Sequence, residues 1–243
     1  MSAKLPVLLY GVFAYVFFLG TFLYAIWFVW TLDRPQPPPE SLLRNLLINA
    51  GLLALFAVQH SVMARPGFKR VWTRLVPPVI ERSTYVVAAS AALLLLIVAW
   101  QPLPAEIWNV GNPIGQRLLH VLFWAGWGMV LGTTFLIDHG ELFGLKQVMN
   151  YWKGQPTSSA PFVTPGPYKF VRHPLYFGFL MAFWSTPVMT AGHLFFAVMC
   201  TAYILVAIQL EERDLITYYG DVYRRYRQQV SMLIPWPSKW KSS

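Results

Sequence analysis

The sequence predicts an all-α, polytopic integral membrane helical bundle of about five to six transmembrane helices, and three observations predict it. The 243 residues are 56% hydrophobic and only 12% charged, about half the charge of an average soluble domain. Several uncharged runs reach or exceed the roughly 20 residues that a helix needs to cross the hydrocarbon core. The basic residues gather in alternate loops, a bias that sets orientation in membrane proteins and removes nucleic acid as the reason for a net charge of +9.

The run 5–32 carries no charge and is stopped by Asp33, Arg34 and the proline cluster 35–39, which makes it the first span. It holds no small-residue cleavage site, so it reads as a retained helix and not as a removed leader. A second span is expected at 44–64, closed by Arg65, Lys69, Arg70 and Arg74. A third is expected at 83–101, ending before Pro102, and a fourth at 117–138, ending at Asp138 and His139. From Pro174 to Leu210 the chain is uncharged for about 37 residues, more than one crossing requires. Pro187 and Gly192 interrupt that run, so a C-terminal helical hairpin of 174–187 and 192–212 is expected. The chain reads as one transmembrane domain, 1–243, and its only cysteine, Cys200, excludes an internal disulfide.

Placing the N-terminus in the cytoplasm puts 65–82, 139–173 and the tail from 211 on the same side. Only Arg34, Arg44 and Arg117 of the 19 Lys and Arg residues then lie outside, so both termini are expected to be cytoplasmic. Segment 141–151 is short and amphipathic, suited to the interface. In the tail, Leu215, Tyr219, Val222 and Tyr226 recur at helical spacing while Arg224, Arg225 and Arg227 fall on other faces, which predicts one amphipathic helix over 212–230. The proline cluster and the Gly/Pro/Ser-rich stretch 154–167 are loops.

On this topology His60, Asp138, His139, Arg172, His173, Glu211 and Glu212 all fall at cytoplasmic helix ends. Polar groups at membrane depth are costly unless they face a bundle interior or a water-filled cavity, so their convergence marks a site. His120 and His193 fall near the opposite face and read as interfacial. The densest string is Thr164-Pro-Gly-Pro-Tyr168-Lys-Phe-Val-Arg172-His173-Pro174-Leu-Tyr176-Phe-Gly178. Pro174 suits a first helical position with His173 as the cap, and the free N–H groups of a helix start, reinforced by Arg172, suit a carboxylate ligand. Glu211 and Glu212 suit a cationic amine, with one of the two turned toward it because successive helix residues differ by about 100°. The start of the fifth helix and the end of the sixth are thus expected to form facing walls of one pocket, with Tyr168 and Tyr176 placed for stacking and cation–π contact. S-adenosylmethionine, with a carboxylate, an ammonium and a sulfonium on one short chain, is complementary to such poles; no metal site is expected.

The order Gly-Pro-Tyr-x-x-x-Arg-His-Pro-x-Tyr-x-Gly, a hairpin, then Glu-Glu-Arg-Asp-Leu-x-x-x-Tyr-Gly-x-x-Tyr-x-x-Tyr resembles the isoprenylcysteine carboxyl methyltransferase and phospholipid methyltransferase superfamily. The resemblance implies that Tyr168, Arg172, His173, Pro174, Tyr176, Gly178, Glu211 and Glu212 enclose S-adenosylmethionine. Upstream, Gln59-His-Ser-x-Met-Ala-Arg65, Phe68-Lys, Glu81-Arg-x-x-Tyr85 and Asp138-His-x-Glu-Leu-Phe-Gly-Leu-Lys-Gln147 look like the branch that holds the methanethiol S-methyltransferases and their NnrU-like and nurim-like relatives. Gln147 joins the expected donor set. The resemblance implies methyl transfer to the sulfur of a small thiol, methanethiol to dimethyl sulfide, by an enzyme of a bacterial inner membrane.

A thiol attacks only as thiolate, and an alkanethiol has a pKa near or above the ~8.5 of free cysteine, so the site must supply a base or a cation. His139 beside Asp138 is the expected base and His60 the second, with Arg82 or Arg172 as the cation that stabilises the thiolate. The expected partners are a small thiol and the lipid bilayer. Three other readings stand beside this one: a prenylcysteine carboxylate or lipid amine as acceptor, an NADPH-dependent sterol-type reductase of related architecture, and a non-enzymatic nurim-like or NnrU-like protein.

Overall fold

The computed structural model describes residues 4–34, 36–156 and 162–235, so Pro35 and most of the loop before Phe162 lie outside the described residues. Among the described residues five helices are long and apolar enough to cross a membrane: α1 (Lys4–Thr31), α2 (Leu42–Ala64), α4 (Pro78–Ala99), α5 (Pro113–Ile137) and α9 (Ala191–Tyr219). The protein is a polytopic all-α membrane protein, and the first four expected spans lie within these helices or overlap them closely. Contacts divide the chain into two compact units, 1–105 with 138–159 and 106–137 with 160–243.

In the first unit α4 packs against α1 and α2, and the short helix α7 (Leu145–Lys153) packs against α1 and α4. Gly11 permits the approach of α7, because a Cβ there would lie 2.5 Å from a Val148 methyl. At the same end Lys4 Nζ donates to the Trp152 carbonyl at 3.1 Å, and the Tyr10 hydroxyl donates to Thr84 at 3.1 Å. At the far end of α4 the fully buried Asn49 exchanges two hydrogen bonds with the backbone of Gln101, at 2.8 and 2.9 Å. One turn earlier Asn45 donates to the Pro102 carbonyl at 2.9 Å. These amides satisfy backbone groups that the chain leaves unpaired once α4 ends, and such groups are costly to bury alone.

Two elements of this unit were not expected. Pro66 at a first helical position starts α3 (Pro66–Trp72) inside the basic loop after the second span. The interfacial segment is two helices, α6 (His139–Leu142) and α7, separated by Gly144 at φ 83. Only glycine fits there: the backbone is left-handed, and a Cβ would lie 2.7 Å from Ser83 Oγ and 2.9 Å from Ser83 N.

The second unit is built on the contact of α5 with α8 (Pro174–Trp184). A Cβ at Gly126 would lie 2.7 Å from both the Gly178 carbonyl oxygen and Ala182 N, and one at Gly178 would lie 2.8 Å from the Gly126 carbonyl oxygen. Small residues let membrane helices approach at backbone distance, and this close packing is what Gly178 does here. α8 has 11 residues, which rise only about 16 Å, so it covers half a crossing where the hairpin expectation gave it a full span. Its far end continues into β2 (Val188–Thr190), which pairs antiparallel with β1 (Glu106–Asn109).

His193, expected at the interface, is 1% exposed at the start of α9, where its Nε2 lies 2.8 Å from the Phe183 carbonyl oxygen. The buried carbonyl at the end of α8 needs a donor, which explains the inward turn. The single tail helix expected over 212–230 is also divided: α9 runs to Tyr219, Gly220 breaks it at φ 59, and α10 (Asp221–Gln229) follows. The break resets the helical phase, so Tyr223 is 1% exposed and Val222, expected on the buried face, is 47% exposed.

Gly178→Ala forces a methyl into the backbone of α5 and is expected to cost about 1–3 kcal/mol, read as a lowered Tm in detergent. An unchanged Tm would show that α5 and α8 do not meet at this point.

Candidate active site

Arg172, His173 and Glu212 meet in one buried network of the second unit. The turn 166–169 leads into 171–173, where the N–H groups of Arg172 and His173 donate to the carbonyls of Ser231 at 2.8 Å and Met232 at 3.2 Å. Pro174 then opens α8 at a first helical position. Glu212, near the end of α9, is 2% exposed. Its Oε1 accepts from Arg172 Nε at 2.7 Å and lies 3.1 Å from His173 Nε2, while its Oε2 lies 3.0 Å from Arg227 Nε. Arg172 Nη1 donates to the carbonyls of Arg227 at 3.0 Å and Val230 at 2.5 Å. The two poles expected to face each other across a ligand are in direct contact, because a carboxylate this deeply buried must be matched by cations or hydrogen bonds.

Glu211 is the carboxylate that remains. It is half-buried, it accepts a hydrogen bond from the Tyr176 hydroxyl at 2.9 Å, and among the described residues no cation is ion-paired with it. Burial, with the charge of Glu211 adding to it, holds the Tyr168 phenol above its ordinary pKa. The Tyr226 hydroxyl donates to the Tyr168 carbonyl at 2.6 Å, and burial pushes its pKa up to about 12. Tyr223 is raised by burial too, and its hydroxyl has no hydrogen-bond partner among the described residues. Phe162 packs against the rings of Tyr219, Tyr223 and Tyr226 with centroids 5.1, 5.8 and 5.3 Å away. One carboxylate beside phenols that stay protonated at neutral pH suits an organic cation, which both the charge and the ring faces attract.

The other candidates lie in the first unit. The Tyr85 hydroxyl on α4 is 3.2 Å from Nδ1 and 3.0 Å from Nε2 of His60 on α2, and Phe56 stacks on the same imidazole. The Arg82 guanidinium sits over the Tyr85 ring, 5.0 Å from its centroid, and its Nε donates to the Leu142 carbonyl at 2.7 Å. His139 opens α6 with Nε2 2.9 Å from the Tyr15 hydroxyl and its ring 4.8 Å from that of Phe143.

Asp138 was expected to raise the basicity of His139, but its carboxylate turns elsewhere. It caps α6 by accepting from the Glu141 N–H at 2.9 Å and pairs with Lys146, and that pairing holds its pKa below the ordinary carboxylate value. A cap position aims the side chain back at the first helical N–H groups, which decides the competition. Burial lowers the pKa of His139, so it is a neutral imidazole held by a phenol. Gln147 donates to the Glu141 carbonyl at 3.2 Å and so belongs to the first unit, whereas Tyr168, Arg172, His173, Pro174, Tyr176, Gly178, Glu211 and Glu212 all lie in the second.

Sequence reasoning did not find Tyr15, Arg227 or the buried hydroxyl of Tyr223. Tyr15 stands in a run that reads as lipid-facing, and Arg227 reads as a solvated tail charge; only the three tyrosines spaced at 219, 223 and 226 were a usable signal.

Glu212→Gln leaves the buried Arg172 guanidinium without its counter-charge and is expected to cost about 3–5 kcal/mol, seen as a large fall in Tm. Arg172→Lys should lower Tm as well, since one ammonium cannot reproduce the planar fork. The Asp138 cap carries a pH signature of definite sign. Its pKa is depressed in the folded state, so its stabilisation is complete above the unfolded carboxylate value and is lost as pH falls through the folded one. The protection factor of the Glu141 amide, its exchange rate relative to the intrinsic rate at each pH, should therefore fall only below about pH 4; a fall already between about pH 5 and 7 would contradict the pairing.

Residues 128–217 match the isoprenylcysteine carboxyl methyltransferase family. The protein named methanethiol S-methyltransferase from Mycobacterium tuberculosis is 53% identical over 96% of this chain and 97% of its own length. A protein of the same name from a Pseudomonas species is 50% identical over 96% of this chain and 92% of its own. Human nurim is 32% identical over 72% of this chain and 70% of its own. No solved structure matches the chain. With half of the residues shared over almost the full length of such relatives, the chain belongs to the methanethiol S-methyltransferase family and is an integral membrane methyltransferase.

Proposed function

We propose that the protein transfers the methyl group of S-adenosylmethionine to the sulfur of a small thiol, methanethiol, at the cytoplasmic face of a bacterial inner membrane. The observation that carries the donor assignment is Glu211, a carboxylate without an ion-pair partner among the described residues, beside Tyr168 and Tyr176. These residues fit the cationic end of S-adenosylmethionine. The Tyr223 hydroxyl, without a hydrogen-bond partner among the described residues, supplies a further polar group in the same unit. The bias of Lys and Arg toward alternate loops supports the cytoplasmic face, and the names of the relatives support the thiol.

The chemistry that the donor supplies is a methyl on a positively charged sulfur, which a thiolate displaces to leave a thioether and a second neutral sulfur. The chain has three tasks. Glu211, flanked by the tyrosines, holds the cationic end. Arg172, His173, Arg227 and Glu212 keep the end of α9 in place, so that Glu211 points one way. An imidazole takes the S–H proton: His139 is neutral at pH 7 because burial lowers its pKa, and the Tyr15 hydroxyl orients it. His60, held by Tyr85, is the second candidate.

Purified protein given labelled donor and a panel of methanethiol, a lipid amine and a prenylcysteine should label methanethiol alone; label on either of the others would overturn the thiol reading. Glu211→Gln should weaken donor binding in calorimetry by about ten- to a hundredfold, the loss of one charge-assisted hydrogen bond, without lowering Tm. The acid limb of kcat/KM should lie below the ordinary histidine value of 6.5 and disappear in His139→Gln, whereas a limb that survives the substitution removes His139 as the base.

A further inference from the structure

We propose that Arg82, Tyr85 and His60 form the seat of the acceptor thiolate, with Tyr85 as a positioning residue. The inference rests on the thiol-methylating reading above and names the part of the protein that receives the second substrate.

A thiolate needs a cation whose donors are still open. Two arginines met that description in the sequence, and their hydrogen bonds separate them. Arg172 is buried with Nε on Glu212 and Nη1 on two carbonyls, so it is part of the scaffold. Arg82 is half-buried, and among the described residues its one hydrogen bond is from Nε to the Leu142 carbonyl. Among the described residues neither Nη of Arg82 has a hydrogen-bond or ion-pair partner, so four N–H donors remain in a plane that the Nε bond fixes.

The surroundings favour a small, soft anion. Tyr85 is 6% exposed, its ring lies against the guanidinium and its hydroxyl reaches His60, so it sets the position of both. Phe56, stacked on His60, adds an apolar side suited to an alkyl group. Positive charge is in excess here: Lys69, with its pKa lowered mainly by burial, also feels Arg82 and Arg65. The nearby carboxylate, Glu81, is turned to Lys69 at 4.0 Å. An anion at Arg82 relieves that excess.

In the step itself the thiol S–H breaks and its proton goes to the imidazole base and on to water. The electron pair stays on sulfur beside Arg82 and then forms the new S–C bond, while the donor's C–S bond breaks with its electrons left on the departing sulfur.

The test uses the full-length protein and two acceptors of nearly equal size, ethanethiol and the much more acidic trifluoroethanethiol, with donor affinity measured by calorimetry in parallel. A neighbouring cation lowers an acid's pKa by about 1–3 units, so Arg82→Gln should lose on the order of ten- to a thousandfold in kcat/KM for ethanethiol at pH 7. The loss should be far smaller for trifluoroethanethiol, and donor affinity should not change. Tyr85→Phe should show the same dependence on thiol acidity with a smaller loss, and Arg82→Lys should keep more activity toward ethanethiol than Arg82→Gln does. Equal losses for the two thiols, or none, would overturn the proposal, as would inhibition by inorganic phosphate competitive with thiol and abolished by Arg82→Gln, which marks an oxyanion seat. A wild-type protein that methylates neither ethanethiol nor methanethiol would instead sink the thiol reading itself.

Discussion

A carboxylate that is 2% exposed at the end of a membrane helix is the constraint around which the second unit is arranged. Burying Glu212 alone would cost far more than a fold of ordinary stability can supply. It is tolerated because Arg172 and His173 arrive from the segment just before α8 and Arg227 from α10, and because Arg172 also closes carbonyls at the end of α10. The paired backbone of 171–173 with 231–232 brings these groups together. The consequence for function is indirect: with Glu212 locked inward, the next residue round the helix, Glu211, is held facing Tyr176.

The first unit solves a different problem by a repeated device. His60 and His139 each have a tyrosine hydroxyl at hydrogen-bond distance, from α4 in one case and α1 in the other. A phenol can orient an imidazole without adding charge, so the ring is not committed to its protonated form as it would be beside a carboxylate. Asp138 illustrates the alternative, since its partner is Lys146 and its task is to start a helix. Arg82, anchored through one nitrogen, joins the Tyr85 ring to the carbonyl end of α6, and among the described residues its remaining donors have no hydrogen-bond partner.

Close backbone approach is the third theme. Gly126 with Gly178, Gly11 beside Val148 and Gly144 beside Ser83 mark the places where helices or turns meet with no room for a side chain. Lipid gives helices little hydrophobic reason to associate, so such contacts carry much of the packing. Gly178 therefore belongs to a recognisable string for reasons of packing, and its neighbours in that string, Arg172 and His173, belong to it for reasons of charge compensation.

The positions of the spans were legible in the sequence because uncharged length is a local property, as the match of α1, α2, α4 and α5 to apolar runs shows. So was the gathering of Arg172, His173 and Glu212 in one unit, since each stands at a helix end marked by Pro174 or by the return of charge after Leu210. Which groups face one another was not legible. The choice between Glu211 and Glu212 depends on the rotation of α9, the partner of Asp138 on where α7 begins after Gly144, and the buried face of the tail on the phase reset at Gly220. The sequence by itself determined a membrane bundle with a polar constellation at its helix ends; only the tertiary structure decided which charges cancel and which stay open, because pairing depends on distances between elements that no local pattern encodes.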